Sequence, residues 1–174
     1  MKVTEKNRGV LWIAQGAVIA ALYVVLTLLS QAIGLLNFDV QFRLSEWLCV
    51  LPFFTGAAVP GLTIGCVLAN LLTGSAPWDI LFGSLATLIG AVVCRLVSNA
   101  LRKRGKDTLA IILSPVPNII SNTAILPFII SWVYESPVSI PMLALYVFLG
   151  ELVSCALGIP IALALKKRGL FKTR

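Results

Sequence analysis

Histidine is absent from the chain, and acidic residues number only seven among 174. Without an imidazole, zinc-type hydrolysis and histidine acid–base chemistry have no vehicle. No GxxxxGK loop ending in Ser or Thr is present, so the chain carries no ATPase of its own. A nucleophile elbow, an HExxH helix and a TVGYG-like filter are missing as well. Cys49, Cys66, Cys94 and Cys155 fall inside apolar runs without CxxC or other ligand spacing, which makes them small packing residues. No catalytic residue, no metal and no cofactor is therefore expected. Charge is scarce too, at 12% against 59% hydrophobic residues. A chain this short has no way to bury that much apolar surface in water, so the bilayer is the expected solvent.

The net charge of +7 invites a nucleic-acid reading, but the positions of the charges argue otherwise. Lys2, Lys6 and Arg8 precede the first apolar run, and Arg102, Lys103, Arg104 and Lys106 sit in the middle of the chain. Lys166, Lys167, Arg168, Lys172 and Arg174 close it. These clusters border membrane segments and lack interleaved aromatics, so they are topology signals and no nucleic acid is expected as a partner.

Apolar runs predict spans over 10–30, 78–100, 109–132 and 141–165. Residues 45–73 are ambiguous, being one long helix or two short ones. The three basic clusters belong on one side, which demands an even number of crossings between Arg8 and Arg102. That requires a break near Gly56–Gly61 and two short helices, 46–57 and 60–73, with Pro60 near a helix start. The expectation is an all-α integral membrane protein of six transmembrane helices, one domain over 1–174, with both termini cytoplasmic. Asp39, Arg43, Glu46, Asp79 and Glu135 then fall at the outer side, after a long linker from Gln31 to Leu44.

Several polar residues stand out against this background. Glu151, about eleven residues into the last span, is expected near the midplane, where an ionisable group is functional by default. It is either a hydrogen-bonded lock between helices, or a ligand-pairing carboxylate or proton carrier. Asn118 and Asn122 share one helix face at i, i+4, and Pro115, Pro117 and Pro127 surround them. They either bond between helices or line a cavity. Arg43 and Glu46 at i, i+3 fit an interfacial ion pair, the favoured reading for Arg43. Trp78 and Asp79 are either an interfacial aromatic with a helix cap or ligand contacts. Asn70 lies one turn from the outer end of its helix. Together these groups describe an outward-facing pocket suited to a small, flat, hydrogen-bonding solute.

Five segments carry a family resemblance. VQFRLSEWLCVLPFF, AVPGLTIGCVLANLLTG and WDILFGSLATLIGA resemble the QueT family, and AVIAALYVVLTLL and FLGELVSCALGIPIALALKKRGLF fit it in the same order. The match covers Ala14–Leu170 and is most specific over Phe42–Gly90. QueT proteins are substrate-binding (S) components of energy-coupling factor (ECF) transporters, which are six-helix bundles in the bacterial cytoplasmic membrane. The resemblance implies capture of a queuosine precursor, a 7-deazaguanine base in its aminomethyl or cyano form. It implies partners too, namely a transmembrane coupling protein and two ATPase subunits, with Gly16, Ala17, Ala20 and Ala21 as the docking face. On this reading Glu151 or Glu46 accepts from the donor edge of the base, and Asn118, Asn122 and Asn70 read its carbonyl and ring nitrogens. Trp78 stacks on the ring, and Asp79 balances an ammonium. The competing expectation is a self-sufficient, proton-coupled secondary transporter with Glu151 as carrier, although no inverted repeat is visible.

Overall fold

The computed structural model describes residues 5–36 and 42–168; Asn37, Asp39, Lys2, Lys172 and Arg174 lie outside the described residues. No strand occurs among the described residues. This is the expected result for a bilayer protein, because a helix satisfies its backbone groups within one segment. The elements are α1 (Glu5–Ala32), a 3-10 helix (Leu44–Phe53), α2 (Ala58–Leu72), α3 (Pro77–Lys103), α4 (Asp107–Leu113), α5 (Val116–Val133), α6 (Ile140–Ala156) and α7 (Gly158–Lys167). Asn7–Ala32, Pro77–Lys103, Asp107–Val133 and Ile140–Lys167 are long and apolar enough to cross a membrane, while Leu44–Phe53 and Ala58–Leu72 are shorter.

The even number of short segments between α1 and α3 agrees with the charge argument, but their form differs from a plain helical hairpin. The first is a 3-10 helix of ten residues containing Pro52. At about 2.0 Å per residue it rises ~20 Å, against ~15 Å for the same residues as an α-helix. It descends beside α1: Leu44 N donates to Ser30 Oγ, Tyr23 reaches Glu46, and Thr55 Oγ1 donates to Gln15 Oε1. Its first backbone donors are capped from outside, Leu44 N by Ser30 of α1 and Arg43 N by Ser154 of α6. Its last carbonyls are capped by α3, since Arg95 donates to Pro52 O and Phe53 O, and Arg102 to Phe53 O. Cations at a helix C-terminus also suit its partial negative charge.

Chain breaks follow the prolines. The ring of Pro117 excludes the carbonyl four residues back, and α4 ends there at Leu113; Pro160 does the same to Ala156, where α6 ends. The segments expected as single helices over 109–132 and 141–165 are thus each divided.

Close backbone approach holds the bundle together. A Cβ on Gly65 would lie 2.7 Å from Tyr23 Cβ and 3.0 Å from Ala20 O, and one on Gly61 would lie 2.8 Å from Gly16 O. α1 and α2 therefore run parallel with backbones nearly touching, the geometry that small residues permit in membranes. A Cβ on Gly90 would meet Asn118 Cα, and one on Gly158 the Trp47 carbonyl. Arg8, Arg102, Lys103, Arg104, Lys106, Lys166, Lys167 and Arg168 gather at one end of the bundle, where Lys166 pairs with Asp107 at 4.0 Å. Arg43 lies toward the other end, which is hollow.

Candidate functional site

The hollow end contains a cavity of about 480 Å³, within the ~300–1,000 Å³ typical of small-molecule sites. Every long element contributes to it. α1 supplies Thr27 and Gln31, the residue before the 3-10 helix supplies Arg43, and the end of α2 supplies Asn70 and Thr73. Asp79 comes from α3, Leu126, Ile130 and Tyr134 from α5 and its cap, and Tyr146, Glu151 and Ser154 from α6.

Glu151 forms the floor, 8% exposed. Behind it Asn118 Nδ2 donates to Glu151 Oε2 at 3.2 Å and to Glu46 Oε2 at 2.8 Å. Tyr23 donates its hydroxyl to Glu46 Oε1 at 2.6 Å, and the Cys155 thiol donates to Glu151 Oε2 at 3.4 Å. Ligand atoms of Glu46, Glu151 and Cys155 lie within 4.8 Å of one another, near enough for a metal ion to be considered. The space between the carboxylates already holds an amide N–H, a donor that a cation would have to expel. The cluster therefore suits protons and hydrogen-bond donors. Asn122 and Glu46 line a much smaller chamber beneath the cavity, which shares Arg43, Asp79, Leu126 and Glu151 with it.

The walls offer opposite chemistry at different heights. Arg43 Nη1 donates to Asn70 Oδ1 at 3.4 Å, and the guanidinium borders both chambers. At the rim Asp79 Oδ2 accepts from Tyr134 at 3.0 Å, and the same hydroxyl accepts from Ala76 N at 3.1 Å. Burial and the Asp79 carboxylate push the Tyr134 phenol above its ordinary value, so it stays a donor. The site thus offers a planar guest acceptors on the floor and rim, a guanidinium donor between them, and Tyr146 as an aromatic wall.

The expected residues divide on inspection. Glu151, Asn70, Asp79 and Arg43 line the cavity, Asn122 and Glu46 the small chamber, and Asn118 stands behind both carboxylates. Glu46 is a correction: placed at the outer rim by topology, it is 3% exposed and lies level with Tyr23, deep in the bundle. The expected Arg43–Glu46 ion pair is replaced by an Arg43–Asn70 hydrogen bond. Trp78 is a second correction, being 57% exposed, stacked on Phe82 at 6.2 Å and absent from the cavity wall. Tyr23, Thr27, Gln31, Tyr134, Tyr146 and Ser154 were not among the expected site residues. The first three recur at i, i+4, i+8 on α1, a polar stripe in an apolar helix that could have exposed them. The four small residues of α1 also part company: Gly16 and Ala20 pack against α2, while Ala17 and Ala21 are exposed.

A multi-pass bundle with a polar cavity at one end fits the class of membrane proteins that handle a small solute. The chain belongs to the QueT transporter family, whose pattern it matches over residues 13–167. A stretch of 74 residues is 39% identical to the queuosine precursor transporter QueT of Lactococcus lactis subsp. cremoris (strain MG1363). That stretch covers 42% of this chain and 43% of the relative, so the chain spans less than half the length of the relative in this match. No solved structure matches the chain.

Proposed function

We propose that this chain is the substrate-binding subunit of an ECF-type ABC importer, and that it captures a queuosine precursor from outside the cell. The guest is a 7-deazaguanine base in aminomethyl or cyano form. The observation that carries the reading is the cavity with a buried carboxylate at its floor. Such a base presents a ring N–H and an exocyclic amine side by side, and one carboxylate accepts from both. Arg43 then donates to the carbonyl edge, Tyr146 packs on the ring, and Asp79 faces the ammonium of an aminomethyl group. The name of the L. lactis relative points to the same solute class.

The basic end faces the cytoplasm in this reading, with both termini, since Lys and Arg concentrate on that side. In this reading energy comes from a separate coupling protein and two ATPases, and a chain without a phosphate-binding loop is compatible with it. Ala17 and Ala21, exposed beside the packed Gly16 and Ala20, are the part of the docking face left open to that coupling protein. Binding of 7-aminomethyl-7-deazaguanine to the purified protein tests the solute, with guanine lacking the 7-substituent as comparison. Uptake into vesicles with and without an ATPase module tests the energetics. Uptake that proceeds without ATPases would sink the importer reading in favour of a proton-coupled transporter with Glu151 as carrier.

A further inference from the structure

Glu46 and Glu151 reach one amide nitrogen, Asn118 Nδ2, and their oxygens come within 4.8 Å of each other. Both side chains are more than nine-tenths buried. Among the described residues neither has a Lys or Arg nitrogen within 4.0 Å. The groups that face the pair come from every packed element. α1 gives Tyr23, which donates to Glu46, and α2 gives Cys66. The 3-10 helix and the residue before it give Cys49 and Arg43, α3 gives Asp79, and α6 gives Cys155. α5 contributes only the neutral amides of Asn118 and Asn122. The one cation in this set, Arg43, donates to Asn70 and shares its chamber with a third carboxylate, Asp79. Three acidic groups thus face one guanidinium. Two carboxylates this close in a dry interior do not both stay ionised; one proton serves the pair.

Only Glu151 of the two opens onto the large cavity. We propose that the Glu46–Glu151 pair holds one shared proton when the cavity is empty and releases it to solvent when a guest donates its N–H groups to Glu151. The inference rests on the cavity being the ligand site. No covalent bond changes; the guest's donors take over the stabilisation of charge that the shared proton supplied. Glu46 does not line the large cavity, and so it is a positioning residue that acts through the charge of Glu151. Proton and guest compete, so affinity falls by up to about tenfold per pH unit on the acid side of the pair's titration.

Infrared difference spectroscopy of the purified, empty protein decides the first half. The carbonyl band of a protonated buried carboxyl should be present near neutral pH and should disappear as pH rises. In Glu46→Gln, and separately in Glu151→Gln, the band near neutral pH should weaken or vanish, whereas Asp79→Asn should leave it in place. A band that ignores Glu46→Gln, or a wild-type protein with no such band, overturns the proposal. Calorimetry with 7-aminomethyl-7-deazaguanine in two buffers of different ionisation heat decides the second half. About one proton per base should be released by the wild type and clearly less by Glu46→Gln. Binding without release overturns the proposal. Absence of any binding counts against the assigned solute, and the infrared titration alone then judges the shared proton.

Discussion

The two ends of the bundle use similar residues for opposite purposes. At the basic end, Arg95 and Arg102 turn their guanidinium groups onto the carbonyls of Pro52 and Phe53, closing the short 3-10 helix. At the hollow end, Arg43 makes one long contact, 3.4 Å to Asn70, and borders an empty volume. Gly61, Gly65, Gly90 and Gly158 sit where a neighbour's atoms would meet a Cβ at close range, whereas a Cβ on Gly74 at the cavity rim would meet nothing within 4 Å. Polar groups whose hydrogen bonds are complete hold the fold; those left with spare capacity beside a cavity are available to a guest.

The comparison breaks if residues of the hollow end prove structural. Glu151→Gln is the sharpest attempt. The amide keeps the volume and one acceptor but loses the charge and the paired acceptance. Binding of the base should weaken by at least ~100-fold, about 2.7 kcal/mol, while thermal unfolding stays close to wild type. A dissociation constant near the wild-type value would remove Glu151 from the site.

The reciprocal test moves to the packed α1–α2 seam. Gly65→Val places methyl groups where Tyr23 Cβ and the Ala20 backbone already stand. Forced overpacking of this kind costs about 1–3 kcal/mol, so the midpoint of thermal unfolding should drop. In the surviving folded fraction, the affinity for the base should move far less than in Glu151→Gln. Equal losses of stability and affinity would show that the seam and the cavity are not separable.

Asp79→Asn tests the rim. The carboxylate is half-buried and held by Tyr134, where charge interactions are partly screened. Affinity for the aminomethyl base should fall roughly fivefold, in keeping with ~1 kcal/mol for such a partly exposed pair. The uncharged cyano base should be unaffected. Equal losses for both bases would make Asp79 a structural partner of Tyr134 only.

Much of this organisation was readable from the residues. Hydropathy located the long spans, and the placement of Lys and Arg required the extra pair of short segments. The prolines at 115, 117 and 160 mark where α5 and α7 separate from their neighbours. The 3-10 form of Leu44–Phe53 was not legible, because ten mostly apolar residues do not distinguish a period of 3.0 from one of 3.6. The depth of Glu46 was hidden for a related reason. Its height depends on how far the segment before it descends beside α1, which Ser30 and Ser154 fix through tertiary hydrogen bonds. Asn118 and Glu151 were visible as polar residues in apolar helices, but their shared partner Glu46 lies 72 residues from Asn118.

Trp78 gives the smallest expected effect. One helical step of about 100° separates neighbours on an α-helix, enough to turn Asp79 toward the cavity and Trp78 toward the surroundings of the bundle. Sequence proximity made the two look like one unit, either an interfacial aromatic with a helix cap or a pair of ligand contacts. Trp78 instead stacks on Phe82, four residues along the same exposed face, at the level where an interfacial aromatic anchors a helix. Trp78→Ala should therefore change the affinity for the base by less than about twofold, the scale of a few tenths of a kcal/mol. Tyr146→Ala, on the cavity wall, should weaken it more. A loss at Trp78 that matches or exceeds the loss at Tyr146 would mean that the guest reaches the outer face of α3, and the boundary between the hollow end and its surroundings would have to be redrawn.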